Sequence, residues 1–249
     1  MKEPLDIARH GAGMELTLNR PACRNALSRE LVVALTAALR AAEADADVRT
    51  ITLTGTPPAF CAGLDLREMA ETAGAATEHD TSALLELYET MDRLSKPVLA
   101  AVNGPAVAGG AGLVCLCDIV VFGASAQIGY PGIRHGLVAP IVMPYLLRLV
   151  GERRARYLLL TGEMLTASEA VEYGLANQVV PDDDLLPRVR DLAATVASHP
   201  PDALARTKSL LNRLRDARGT DQVAEIRRLA ESVPLTDEAR AGVNRFLDM

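Results

Sequence analysis

The stretch PVLAAVNGPAVAGGAGLVCLCDIVVFG, residues 97–123, decides the fold. Its two ends, PVLAAVNG (97–104) and DIVVFG (118–123), are short and continuously apolar, the pattern of strands buried on both faces of a sheet. Between them VAGGAGLVCLCD (107–118) opens on adjacent glycines and carries no ionisable side chain except two thiols until Asp118. This middle segment reads as a buried helix whose start is approached closely, because glycine lets another group come up to the main chain. Strand, glycine-rich turn, buried helix and strand make an α/β arrangement.

Outward from this segment the same grammar continues. MELTLN (14–19) and VRTITLTG (48–55) are strand-like, and the residues between them repeat apolar side chains at Leu31, Val32, Leu35 and Leu39, the period of a helix. Ser28 is placed to cap that helix. A second glycine-rich turn follows the strand at 48–55, in LTGTPPAFCAGLDLREM (53–69), and echoes the turn at 101–118. From Thr166 a short capped helix and one strand, TASEAVEYGLANQVV (166–180), lead into helical patterns at about 184–197, 201–215, 220–232 and 236–246. The expected organisation is an α/β core at 1–183 and a helical C-terminal subdomain at 184–249.

Composition narrows the function. Hydrophobic residues are 49% of the 249, yet charges or prolines interrupt every apolar run before the roughly 18 to 20 residues that a bilayer requires. The N-terminus MKEPLDIARHGAG lacks the unbroken apolar core of a secretory signal, so a cytoplasmic address is expected. A net charge of -6 with scattered arginines argues against a nucleic-acid surface. Cys23, Cys61, Cys115 and Cys117 have no partners at metal-binding spacings and read as reduced structural thiols.

Each glycine-rich turn ends a buried strand and leads toward a helix, leaving unpaired backbone N–H groups near a positive helix end. That geometry suits an anion or a developing oxyanion, with Gly63, Gly109 and Gly110 admitting a carbonyl oxygen to the main chain. Taken singly, either turn is as well explained as a tight turn and nothing more. Two of them after buried strands point to a site.

NRPACRNALS (19–28), AFCAGLDL (59–66), KPVLAAVNGPAVAGG (96–110), CDIVV (117–121) and LTGEMLTASEAVEYGLANQVV (160–180) together resemble the crotonase superfamily, the enoyl-CoA hydratase/isomerase family. The resemblance runs from about residue 7 to residue 248. It implies repeated ββα units with a helical C-terminal region, assembly as trimers or paired trimers, and acyl-CoA or enoyl-CoA thioesters as ligands. Coenzyme A is then part of the substrate, and no tightly bound cofactor is implied. By the same resemblance the N–H groups of Leu64 and Gly109 form an oxyanion hole for the thioester carbonyl, each donor contributing about 3 to 4 kcal/mol toward an enolate.

The resemblance also implies CoA contacts at Ala22, Arg24, Ala62, Asp65 and Leu66. Arg24 is either a phosphate or adenine neighbour or a solvated surface arginine. The chain stops at RFLDM, where many relatives continue with a basic tail, so part of the grip on CoA is expected from elsewhere, such as Arg67. A helix at 82–94 is implied to cover the acyl pocket, with Leu84, Leu85 and Tyr88 as its apolar wall and Tyr130 nearby; Glu86 and Glu89 on that helix read as a solvated face.

Two positions depart from the family pattern. The glutamates that hold and transfer protons in the hydratases fall here on Gly112 and Gly132. Hydration needs a base to activate water and an acid to protonate the α-carbon, each contributing typically 10² to 10⁴-fold. Without both, ordinary hydration is expected to be slow. A dehalogenase-like nucleophile fails because its aspartate aligns with Pro140 and its histidine near Leu85. A naphthoate-synthase-like closure shares a glycine at Gly132 but lacks the nearby aspartate, which is Ala139 here. His135, after Arg134, fits a surface histidine better than a catalyst, and Asp118 reads as a strand-start cap. Two readings therefore stand: a crotonase-like enzyme that works on an enolate by unusual proton carriers or by substrate-assisted chemistry, or a non-catalytic or weakly catalytic acyl-CoA-binding protein.

Overall fold

The computed structural model describes residues 3–71 and 77–216. In chain order these form β1 (Leu5–His10), β2 (Gly13–Leu18), α1 (Arg29–Ala44), β3 (Thr50–Gly55), α2 (Leu66–Glu71), α3 (Thr77–Arg93), β4 (Val98–Val102) and β5 (Ala106–Val107). There follow α4 (Gly109–Cys115), β6 (Ile119–Gly123), β7 (Gln127–Gly129), α5 (Met143–Thr161), β8 (Met164–Thr166), α6 (Ala167–Glu172), β9 (Gln178–Val180), α7 (Leu185–Ala197) and α8 (Pro201–Asp216). The helices expected at 220–232 and 236–246 lie outside the described residues.

The strands make two sheets. The larger has the order β1-β2-β3-β4-β6-β9, with β1 and β2 antiparallel and every later pair parallel. The smaller has the order β5-β7-β8. The strands read from apolar runs are the central ones, β2, β3, β4 and β6, and β3 and β4 are buried at every position. Leu31, Val32, Leu35 and Leu39 form the buried face of α1, and the Leu31 N–H donates to Ser28 Oγ at 3.2 Å. The capped helix after Thr166 is α6, where Thr166 and Glu169 satisfy each other's backbone N–H groups in a capping box.

One main core lies between the sheet and the α1, α3, α4 and α5 helices, and a second forms where Leu185, Val189 and Ala193 of α7 cover Leu99, Ala101 and Val121 on the sheet. Arg190 of α7 adds a two-pronged ion pair to the buried Glu15 of β2, both contacts at 2.8 Å. Lys208 of α8, also buried, donates to Asp118 Oδ2 at 2.6 Å and to the Lys96 carbonyl at 2.9 Å. The same Asp118 oxygen accepts the Val98 N–H at 2.7 Å, so Asp118 holds the starts of β4 and β6 together, and β6 begins one residue after it. Helices α7 and α8 are therefore tied to the α/β sheet that carries the glycine-rich turns.

Candidate active site

The two glycine-rich turns meet. After β3 the chain passes through Cys61, whose N–H donates to the Pro105 carbonyl at 3.1 Å and whose carbonyl accepts from the Val107 N–H at 2.8 Å. This bridge fastens the first turn beside β5, at the entry to α4. Three residues on, Leu64 pairs with Leu27: the Leu27 N–H donates to the Gly63 carbonyl at 2.7 Å and the Asp65 N–H to the Leu27 carbonyl at 3.2 Å. In a parallel bridge the residue between those two bonds turns its own N–H to the other side. For Leu64 that is the side away from Leu27.

The backbone at this meeting point takes positive φ in two places. Gly63 has φ +85°, and a Cβ there would stand 2.8 Å from the Val107 carbonyl oxygen and 3.2 Å from the Gly109 nitrogen. Only glycine leaves the Gly109 N–H uncovered. Ala108, the residue before α4, has φ 47° and ψ −109°, a conformation that costs a side-chain-bearing residue about 1 to 3 kcal/mol. Its N–H donates to the Gly129 carbonyl at 3.0 Å, which ties the strained residue to the smaller sheet. The turn at Ala108 starts α4 with Gly109 facing the first loop. Among the described residues, neither the Leu64 N–H nor the Gly109 N–H has a hydrogen-bond acceptor.

The rim beside this pair is built by NRPACRNALS. Arg24 and Asn25 both adopt positive φ, 52° and 55°, and the Ala62 N–H donates to the Arg24 carbonyl at 3.0 Å. That bond brings Ala22, Arg24, Ala62 and Leu66 to one edge, with Ala22, Arg24 and Arg67 exposed and Leu66 57% exposed. Asn25 is fully buried and explains the rest of the motif. Its Oδ1 accepts the Arg20 N–H at 2.9 Å, and its Nδ2 donates to the Thr56 and Ala59 carbonyls at 2.8 and 2.7 Å.

Arg20 in turn pairs with the buried Asp65 at 2.9 Å. Burial by itself would raise the Asp65 pKa, but Arg20 and the Arg67 N–H more than offset it and hold the carboxyl below its ordinary range. The carboxylate of Asp65 is thus committed to Arg20, leaving only its main chain for a ligand. The sequence alone assigns no role to Arg20 or Asn25, although both lie within a quoted motif; an asparagine close after a proline, a turn-forming combination, is the signal it offers.

The wall over α4 comes from α3. Leu84 and Tyr88 are buried, whereas Leu85 is 43% exposed and turns out of the wall expected of it. Glu86 and Glu89 are exposed and pair with Arg40 and Arg93, as a solvated face should. Tyr88 has no exposed surface, and its hydroxyl donates to the Gly109 carbonyl at 2.5 Å. It also fills the side-chain space over Gly112. A Cβ at 112 would fall within contact distance of Tyr88 Oη, 2.6 Å from Val142 Cγ1 and 2.8 Å from Tyr88 Cζ. The bulk over Gly112 thus comes from Tyr88 of α3 and from Val142.

Gly132 lies in the 3-10 turn Pro131–His135, where a Cβ would be 3.3 Å from Leu137 Cβ, and Arg134 and His135 are exposed. Tyr130, just before it, is buried with its hydroxyl 3.8 Å from Cys115 Sγ. Burial pushes the Cys61 thiol up to about 12 and the Cys115 thiol to about 11, and raises both Tyr88 and Tyr130 well above the ordinary phenol value. These groups are neutral around physiological pH. Among the described residues no three His, Cys, Asp or Glu side chains group so as to hold a metal ion.

A two-sheet α/β fold thus sets two main-chain N–H groups beside a neutral, tyrosine-capped wall. Comparison with known proteins supplies the family. Residues 9–249 match the model of the enoyl-CoA hydratase/isomerase family. The chain is 37% identical over 249 residues to the 2,3-dehydroadipyl-CoA hydratase of Escherichia coli, covering 98% of this chain and 95% of that one. A solved enoyl-CoA hydratase from Bacillus anthracis superposes with a TM-score of 0.93 at 29% identity, covering 98% of this chain and 96% of that one. Another, from Mycobacterium smegmatis, gives 0.92 at 31% identity with 99% and 97% covered. The chain belongs to the enoyl-CoA hydratase/isomerase family and has the crotonase fold.

Proposed function

We propose that this protein binds acyl-CoA or enoyl-CoA thioesters and polarises their carbonyl between the N–H groups of Leu64 and Gly109. The observation that carries the reading is that the turns at Gly63, with its positive φ, and at the strained Ala108 leave both N–H groups without an acceptor among the described residues. Preorganised donors of this kind stabilise an enolate without reorganising as charge develops. Main chain at Ala22, Ala62, Asp65 and Leu66, with the Arg24 side chain, holds the CoA moiety, and no tightly bound cofactor takes part. The name of the Escherichia coli relative, a 2,3-dehydroadipyl-CoA hydratase, agrees with a CoA thioester as ligand.

The reaction is not ordinary hydration. Positions 112 and 132, which by resemblance carry the acid and base, are glycine, and the nearest hydroxyls and thiols stay protonated at neutral pH. Turnover then depends on a group of the substrate itself. A second reading, acyl-CoA binding without catalysis, is favoured by one observation: the Tyr88 hydroxyl occupies the space over Gly112. Crotonyl-CoA hydration by the purified protein tests both. It is expected to run at least 10²-fold below a relative with both glutamates. Rapid turnover that disappears on disrupting Gly109 would refute the reading.

Residues 184–249 are assigned to assembly of a homotrimer or hexamer, in keeping with the exposed Leu211 on α8. A cytoplasmic location is proposed with it. No described helix is long and apolar enough to cross a membrane.

A further inference from the structure

The Leu64 N–H stands at the end of a chain of hydrogen bonds that begins on a cation. In a trans peptide the C=O and the N–H lie in one plane and point opposite ways. The Gly63 carbonyl and the Leu64 N–H share one such peptide, and the Ala26 carbonyl and the Leu27 N–H share another. Because the Leu27 N–H donates to the Gly63 carbonyl at 2.7 Å, that bond sets the direction in which the Leu64 N–H points. Behind it, Arg20 Nη1 donates to the Ala26 carbonyl at 2.5 Å. The chain runs from the guanidinium through both peptides and ends on an N–H with no acceptor among the described residues.

The guanidinium is itself held in place. Its Nη2 pairs with Asp65 Oδ2 at 2.9 Å, and Asp65 Oδ1 accepts the Arg67 N–H at 3.1 Å, which fixes that carboxylate to the first turn of α2. The Arg20 main chain is pinned as well: its N–H donates to Oδ1 of the buried Asn25 and its carbonyl accepts the Asn25 N–H, both at 2.9 Å. Arg20 thus grips Ala26 on one side of the Leu27–Leu64 bridge and Asp65 on the other. A bond from a charged donor is about twice as strong as a neutral one, and each bond in a chain strengthens the next by about 10 to 30%.

We propose that Arg20 is a positioning residue for the carbonyl site, its guanidinium orienting and polarising the Leu64 N–H through two intervening peptides without touching the ligand. The proposal rests on the thioester reading for its ligand, while the relay itself is a property of the free protein.

The test is infrared difference spectroscopy of butyryl-CoA carrying an isotopic label at its carbonyl carbon, bound to the wild type, to Asp65→Asn and to the double variant Arg20→Met/Asp65→Asn. Removing both charges together strands no carboxylate, so the double variant is expected to fold. In the wild type the carbonyl stretch should lie below its value in free solution. The double variant should keep about a tenth to a third less of that lowering than Asp65→Asn, since two links of about 10 to 30% each act on one of two donors. Equal lowering in the two variants overturns the proposal. If the wild type does not bind butyryl-CoA, or binds it without lowering the stretch, the thioester reading falls and the Leu27 amide proton, the middle link, decides the relay in the free protein. With leucine nitrogens isotope-labelled, that resonance should move upfield in the double variant relative to Asp65→Asn; an unmoved Leu27 resonance overturns the proposal. Should the double variant not fold, Arg20→Lys against the wild type serves both measurements with the same outcomes, because its ammonium keeps the ion pair but lacks the second prong.

Discussion

Replacing Gly63 by alanine probes the site with a single methyl group. Two costs can be worked from the structure. At φ +85° a residue with a Cβ loses about 1 to 2 kcal/mol relative to glycine. The new Cβ would also stand 2.8 Å from the Val107 carbonyl oxygen, a backbone atom that cannot rotate away, which adds an overpacking cost of about 1 to 2 kcal/mol. The sum, about 2 to 4 kcal/mol, leaves a folded protein if its stability is the usual order of 10 kcal/mol, with Tm lowered by roughly 5 to 12 °C.

The functional effect is separable from that loss. The same Cβ would be 3.2 Å from the Gly109 nitrogen and would stand over its N–H. Losing one donor to a carbonyl reduces transition-state stabilisation by about 10² to 10³-fold. In binding, the thioester carbonyl stretch of a bound acyl-CoA should shift back toward its value in free solution. CoA itself, which has no carbonyl at this point, should bind Gly63→Ala as it binds the wild type. A variant that melts like the wild type and still lowers the carbonyl stretch would refute the assignment of the Gly109 N–H.

Two further predictions concern charge and burial. Arg20→Ala strands the buried Asp65 carboxylate and should cost about 3 kcal/mol by urea unfolding. Since the folded pKa of Asp65 is lowered, its contribution is present above its unfolded value, near pH 4, and is lost as pH falls below that; Asp65→Asn should flatten this acid limb. The buried thiols act at the other end. Cys61 and Cys115 have folded values of about 12 and about 11 against an ordinary 9.0, so stability should be constant below pH 9 and fall above it, by about 1.4 kcal/mol per pH unit for each thiol until its folded value is reached. Cys115→Ala should make that alkaline limb shallower in thermal melts.

How much of this was legible in the sequence depended on the length over which a pattern repeats. Ser28 and the Leu31, Val32, Leu35, Leu39 face announced α1, and the apolar runs around Val98 and Val120 announced β4 and β6. Strands β5, β7 and β8 have two or three residues each, too few to show a period of two. In β1 every residue after Leu5 is exposed, so it has no apolar alternation to read. Helix α5 hides its own period because Gly151, at φ 75°, breaks it near the middle.

The site divided along the same line. Turns made of consecutive residues, Cys61 to Leu64 and Ala108 to Gly112, were readable as donors. The relations between distant residues were not. Arg20 with Asp65 and Tyr88 with Gly112 join separate elements, and one sequence carries no sign that a glycine in α4 is matched by a tyrosine in α3. The outward turn of Leu85 is not legible for a related reason: successive side chains on a helix are turned about 100° apart, and only packing tells which of Leu84 and Leu85 faces in.

The matched pair at 88 and 112 also orders the mutational routes open to this chain. A carboxylate at 112 added first would have to force itself against a fully buried tyrosine and Val142, so it would be lost to instability before it could be tried for activity. Shrinking residue 88 first opens room at 112 but gives up the bond to Gly109 with nothing yet in return. Each single step is uphill, and only the two together reach a new packing. A site closed in this way tends to stay as it is, whatever selection acts on the rest of the protein.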